Sequence, residues 1–174
     1  MRSAPCFYEE ALPPLSANQK RYLKTYPISW EQLHRDSKTL ARRLAEMQPW
    51  KGIVAITRGG LVPASIVARE LEIRFIDTVC ISSYDFQQQI EINVLKPPAI
   101  KGDGLLLIDD LVDTGQTARL AKGLLPDAHF ATVYTKPAGR PLVDSFITEV
   151  SQDTWILFPW DTESQFVKPI VSVT

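Results

Sequence analysis

Cysteine and histidine are scarce in this chain of 174 residues, with two of each, and their scarcity closes several routes to chemistry. Cys6 and Cys80 have neither CxxC nor any other metal-ligand spacing and read as reduced thiols. His34 and His129 lie far apart along the chain, which leaves a histidine-rich zinc site or a His-based triad without material. An excess of one charge is missing too. The formal net charge is −1, so nothing in the total favours a polyanion, and nucleic acid is not the expected partner. No apolar run approaches the roughly 18 residues that span a bilayer. The opening MRSAPCFYEEALPP places acids and prolines where a signal peptide has a continuous apolar stretch, so export is not expected. What remains is ordinary globular composition, 45% hydrophobic and 22% charged, enough for one domain around one core.

Residues 1–27 are irregular and punctuated by Pro5, Pro13, Pro14 and Pro27, and read as an N-terminal extension of a domain spanning 28–174. Ser29 followed by Gln32 gives a capping box, and Trp30, Leu33, Leu40, Leu44 and Met47 recur at helical spacing. This predicts a helix over 30–47, ended by Pro49, with His34, Arg35, Arg42 and Arg43 on its solvated face. Four short apolar runs follow, at 52–56, 75–81, 105–108 and 129–135. Helical stretches at 62–71 and from about 116 to Leu125 separate them. Uninterrupted apolar strands alternating with helices predict an α/β fold with a mostly parallel central sheet covered on both faces. Ligands of such sheets bind beyond the carboxyl ends of the strands. Residues 82–104 break the rhythm and predict a hairpin or flap, centred on about 83–97. From Pro137 onward the chain predicts a small hood of short strands.

The chemistry concentrates in residues 105–117, LLLIDDLVDTGQT. An apolar strand carries Asp109 and Asp110 to its end, pointing in opposite directions by alternation. Asp113 lies in the loop, and Thr114-Gly115-Gln116-Thr117 opens a helix whose free amides and dipole make a phosphate seat. Carboxylates beside a phosphate repel it unless a cation intervenes, and Mg²⁺ held by an aspartate and substrate oxygens meets that need. A lone Asp-Thr-Gly is an ordinary cap; the strand, paired Asp, third Asp and T-G-x-T together point to function. A P-loop is excluded by the absence of G-K-[ST], and an aspartyl phosphatase by Leu111 two residues after Asp109.

These residues resemble the motif that binds phosphoribosyl pyrophosphate (PRPP) in type I phosphoribosyltransferases. From about Ile28 to the C-terminus the chain is similar to the bacterial xanthine-guanine branch of that family. The stretches that carry the likeness are WKGIVAITRGGLVPASIVARELEIRFIDTVCISSYD, LLLIDDLVDTG, TKPAGRPLVD, QDTWI and PWD. The resemblance implies transfer of phosphoribose from PRPP to N9 of guanine or xanthine, and of hypoxanthine less well. The PRPP site it implies comprises Arg58, Gly59, Asp109, Asp110, Leu111, Val112, Asp113, Thr114, Gly115, Gln116 and Thr117. Within that set the loop 113–117 holds the 5′-phosphate, and Arg58 and Gly59 grip the pyrophosphate from a loop that relatives hold with a non-proline cis peptide. Asp109 and Asp110 face the ribose hydroxyls and Mg²⁺, with Asp110 on the metal side. Asp113 is the general base near N7 of the purine. Lys136 donates to the 6-oxo group, Trp155 stacks on the base, and backbone carbonyls near Trp155 and Ile156 meet its position 2.

Two departures from the family pattern stand out. Gln116 replaces the motif's second glycine, a change the site tolerates if amides and not side chains bind the phosphate. Ile90 occupies the slot where relatives carry a basic flap residue, with Lys96 as a partial substitute. The resemblance also implies a homotetramer in the cytoplasm, with membrane contact at most peripheral to the bacterial inner membrane. Three other readings compete. A hypoxanthine-guanine enzyme shares the fold, and the WI and PWD segments weigh against it. A PRPP-sensing nucleic-acid-binding regulator needs a basic stripe, which the net charge does not favour. A catalytically silent binding protein has no reason to retain Asp113 and Lys136.

Overall fold

The computed structural model describes residues 22–86, 89–163 and 165–166. Among the described residues, ten strands and three α-helices follow in the order β1 (Lys24–Pro27), α1 (Trp30–Ala45), β2 (Gly52–Thr57), α2 (Leu61–Glu70), β3 (Ile76–Phe86), β4 (Gln89–Lys96), β5 (Leu105–Val112), α3 (Gln116–Leu124), β6 (His129–Thr135), β7 (Ser145–Glu149), β8 (Thr154–Leu157), β9 (Thr162–Glu163) and β10 (Gln165–Phe166), with a 3-10 turn at Arg140–Leu142 between β6 and β7. The central sheet has the order β4-β3-β2-β5-β6-β7. All its pairings are parallel except β3 with β4. The runs at 52–56, 105–108 and 129–135 therefore do what their composition predicts, as strands buried on two faces; in the run at 75–81 only Val79 is buried, and Phe75 and Ile76 are exposed. Ile53, Ala55, Leu106 and Ile108 face a core built with α1 and α2. Val54, Ile56, Leu105 and Leu107 face a second core closed by Ala118, Ala121 and Leu125 at and beside α3.

The chain leaves β2 to one side to make β3, and returns on the other side of β2 to make β5. Between the carboxyl ends of β2 and β5 the strand order reverses, which opens a crevice where α/β sheets bind ligands. The loop at 57–60 and the segment 109–117 flank that crevice.

Several boundaries move. Helix α1 ends at Ala45, before Pro49, and Met47 lies outside it, half-exposed. The capping box is half-made. The Ser29 hydroxyl accepts the Gln32 amide at 3.1 Å, but the Gln32 side chain donates to the Tyr26 hydroxyl at 2.8 Å. His34, Arg35, Arg42 and Arg43 are exposed as expected. Strand β3 runs five residues past the expected end at Ile81 and forms an antiparallel hairpin with β4. Beyond Cys80 it no longer pairs with β2, so the hairpin extends past the sheet as a ribbon. Gln87 and Gln88 at its tip lie outside the described residues, as do the side chains of 83–91, Ile90 included. The hood does not begin at 137. Residues 145–149 form the edge strand β7 of the central sheet, because Ser145 and Phe146 pair with Ala131 and Thr132. The extension is not wholly separate either: Lys24–Pro27 pair in parallel with β8.

One buried polar pair was not foreseen. The Tyr134 hydroxyl donates to Asp36 Oδ2 at 2.8 Å, with Tyr134 fully buried and Asp36 nearly so. Burial, then the neighbouring Asp36 carboxylate, pushes the phenol's pKa far above its usual range. Tyr134→Phe removes the donor while the carboxylate stays inside. The expected loss is about 1–3 kcal/mol, a drop in Tm of several degrees by calorimetry, with activity of the folded fraction retained.

Candidate active site

Strand β5 is long enough that Asp109 and Asp110 lie within its paired length, with Asp109 opposite Thr132 and Leu111 opposite Tyr134. Their side chains do not part as alternation predicts: the two carboxyls share a hydrogen bond, and the Asp110 amide donates to Asp109 Oδ1 at 3.0 Å. Asp109 lines a cavity of about 130 Å³ together with Leu111, Val112, Asp113, Thr114, Gly115, Gln116, Thr117 and Ala118. Asp110 instead lies against the β2 loop: a Cβ added to Gly59 would stand 2.3 Å from Asp110 Oδ1. Both carboxyls titrate high. Burial, followed by the charge on Asp110, lifts Asp109 well above the carboxylate range. Burial foremost lifts Asp110 to about 6, with a further contribution from the nearby Asp161. Burial also raises Asp161, while the charge of Arg58 pulls it the other way. Such a pair is short of positive charge, and its oxygen donors suit a hard cation such as Mg²⁺. Among the described residues no three His, Cys, Asp or Glu side chains converge.

The cavity is walled by the start of α3, whose first amides have no intrahelical acceptor. Gly115 is the N-cap residue at φ +82°. That left-handed backbone suits glycine, and an added Cβ would meet Leu142 Cδ1 at 2.6 Å. Gln116 takes the first helical position with its side chain exposed, which is why a glycine is not required there. Gly115→Ala is expected to displace the loop. Steady-state assays should show KM for PRPP raised about tenfold, the kinetic equivalent of about 1–2 kcal/mol for a strained αL residue. An unchanged KM would separate the loop from PRPP.

Asp113 closes one side of the cavity and faces the C-terminal half of the chain. Lys136 Nζ donates to its Oδ2 at 2.9 Å, and Gln152 Nε2 donates to its Oδ1 at 2.7 Å. Lys136 is only 1% exposed, so it does more than solvate a strand end. Gln152 is itself fixed, its Oε1 accepting the Ala138 amide at 3.0 Å. The Tyr22 hydroxyl also donates to Asp113 Oδ2, at 2.5 Å. Trp155 is half-buried beside this group, and its indole N–H is buried with no hydrogen-bond partner among the described residues. Ile156 is buried, with its side chain in the main core.

Arg58 follows a cis Thr57–Arg58 peptide and is exposed at the crevice mouth. Lys96 is not available to the site. Its ammonium is held at the base of the hairpin by Asp77 Oδ1 at 2.8 Å and the Thr78 carbonyl at 2.6 Å. His129 bonds Ser145 Oγ at 2.8 Å between β6 and β7, a structural role. Sequence reasoning missed Gln152, Tyr22 and Asp161 as neighbours of the site. Gln152 and Asp161 stand inside the quoted QDTWI and PWD stretches, which was the available signal.

Comparison with known proteins agrees with this geometry. Residues 29–166 match the family model described as a phosphoribosyl transferase domain. The chain is 66% identical over 152 residues to a protein of Desulfotalea psychrophila named xanthine-guanine phosphoribosyltransferase, covering 87% of this chain and 95% of that one. A protein of the same name from Nitratidesulfovibrio vulgaris is 65% identical over 153 residues, covering 87% and 94%. Among solved structures, the purine phosphoribosyltransferase of Pyrococcus horikoshii shares the fold at a TM-score of 0.70 and 24% identity, over 84% of this chain and all of that one. With a phosphate-sized cavity at the start of α3, an acidic pair at the end of β5 and a family match across most of its length, the chain belongs to the phosphoribosyltransferase family, in its xanthine-guanine branch.

Proposed function

We propose that the protein transfers the 5-phosphoribosyl group of PRPP to N9 of guanine or xanthine, and less readily of hypoxanthine. The products are GMP or XMP and pyrophosphate, formed in purine salvage. The observation that carries this reading is Asp113, which lines the phosphate-sized cavity and turns its carboxylate to Lys136 and Gln152. A base lying there is within reach of the C1 of a ribose whose 5′-phosphate sits at 114–117.

In this reading the amides of 114–117 and the hydroxyls of Thr114 and Thr117 bind the 5′-phosphate, with Leu111 and Val112 shaping the cavity wall. Asp109 receives the ribose hydroxyls, and Asp110 is the residue that holds Mg²⁺. When bound, Mg²⁺ neutralises charge on the departing pyrophosphate. Arg58 and the Gly59 backbone grip the same pyrophosphate as its negative charge develops. Asp113 takes the proton released at the imidazole side of the purine. Lys136 donates to the 6-oxo group and so rejects 6-amino bases. Trp155 offers an aromatic face, and the chain near Trp155 and Ile156 meets position 2.

The proposal extends to a homotetramer in the cytoplasm. Exposed Trp30, Leu61, Phe75 and Ile76 supply apolar surface for self-association. Membrane contact is at most peripheral; among the described residues no helix is long and apolar enough to cross a bilayer. Nucleic acid is not a partner, in keeping with a net charge of −1. The test is a spectrophotometric assay of the purified protein with PRPP, Mg²⁺ and each of guanine, xanthine, hypoxanthine and adenine. Turnover of the first three, little with adenine, and loss of activity under EDTA restored by Mg²⁺ are expected. Turnover of adenine alone, or full activity in EDTA, contradicts the reading.

A further inference from the structure

The group that Asp113, Lys136 and Trp155 surround is already filled by part of this chain. The Tyr22 hydroxyl donates to Asp113 Oδ2 at 2.5 Å, the same oxygen that Lys136 Nζ reaches at 2.9 Å. The Lys136 ammonium lies over the Tyr22 ring, 4.2 Å from its centroid. The Trp155 ring is 5.1 Å away, tilted by 54°. Acid, ammonium and indole are the three groups that a planar 6-oxopurine needs: one acceptor, one donor to oxygen, and one aromatic wall. The phenol presents a planar ring with a polar edge to all three, and two planar rings cannot share that space.

We propose that Tyr22 is a resident occupant of the base subsite, a phenol that holds the site in its base-free form and leaves when the purine enters. This rests on the assignment of Asp113, Lys136 and Trp155 to the base. The chain is built for such an exchange. Immediately after Tyr22, the Leu23 and Lys24 amides both donate to the Asp153 carbonyl, at 2.8 and 3.2 Å, and the Lys24 ammonium pairs with the Asp153 carboxylate at 3.4 Å. Residues 24–27 continue as β1 against β8. The pin lies one residue from the phenol, so rotation at Tyr22 itself clears the site while the strand stays paired. Tethering keeps the occupant at high local concentration, and the apparent affinity for base falls by the fraction of enzyme in which the site is open.

The full-length Tyr22→Ala and Tyr22→Phe variants test this, through KM for guanine at saturating PRPP and Mg²⁺. Tyr22→Ala is expected to lower KM for guanine by about 3- to 10-fold, with kcat within about twofold and KM for PRPP unchanged. Tyr22→Phe keeps the ring and loses the bond to Asp113, so its KM should fall between the two. A raised KM in Tyr22→Ala would make the phenol a wall that supports the base, and would overturn the proposal. An unchanged KM, with or without a lower Tm, would overturn it as well. Asp113→Asn, assayed alongside, separates the causes. If it loses turnover while Tyr22→Ala leaves KM unmoved, only the occupant idea is lost; if it keeps turnover, the assignment of the base subsite falls too.

Discussion

Asp113→Asn should lower kcat by about 10²- to 10³-fold while KM for PRPP stays within about threefold, the size of effect that a positioned general base supplies. The substitution keeps the side chain's shape and one acceptor oxygen, which the Lys136 ammonium can retain. It cannot take a proton, and it sets an NH₂ against the NH₂ of Gln152, which now donates to Asp113 Oδ1 at 2.7 Å. The phosphate contacts proposed for PRPP come from the amides and hydroxyls of 114–117 and are untouched. Steady-state kinetics with guanine and single-turnover measurement of pyrophosphate release together distinguish the two effects. Equal losses in turnover and in PRPP affinity would mean that Asp113 holds the loop's shape and not a proton.

Lys136→Ala acts on selectivity. The ammonium is buried at the end of β6 and bound to Asp113, so its removal takes away both the proposed donor to a 6-oxo group and the charge partner of the carboxylate. A site built to donate to a substrate oxygen discriminates strongly against analogues that lack it. Without the donor, kcat/KM for guanine should fall by about 10²-fold or more, and the ratio of adenine to guanine turnover should rise by at least about tenfold. The folded state should lose about 1–3 kcal/mol, because a partly buried carboxylate is left without its ion-pair partner. Selectivity unchanged across the four purines would remove Lys136 from base recognition even if activity fell.

The central sheet was legible because buried parallel strands cannot hide. Gly52–Ile56, Leu105–Ile108 and His129–Thr135 are apolar on both faces, and the last matches its strand residue for residue. Where a segment is covered on one side only, the signal fades. Strand β3 continues through Ser82-Ser83-Tyr84-Asp85, but there it pairs with β4 alone, so polar residues are tolerated and the run looks interrupted. Edge strand β7 was lost for a related reason: SFITE is short, and only Ser145 of its five residues is buried.

The segment proposed to seat the phosphate was readable because its parts are contiguous, from Asp109 to Thr117, in one strand–loop–helix. The surroundings of Asp113 were not. Gln152 reaches it from 39 residues away and Tyr22 from 91, through pairing of β1 with β8 that no local periodicity announces. Asp36 and Tyr134 are 98 residues apart and were invisible for the same reason. Tyr22, moreover, lies in the stretch read as an extension, where the family motifs give no guidance.

The claim on which the rest stands is that a sugar phosphate is seated where β5 gives way to α3. A crystal structure of the protein with GMP tests it most directly. The account predicts phosphate oxygens within hydrogen-bonding distance of the amides of 114–117 and of the Thr114 and Thr117 hydroxyls, with the guanine against Asp113 and Lys136. A phosphate bound elsewhere, with both threonines turned only to protein, would contradict it.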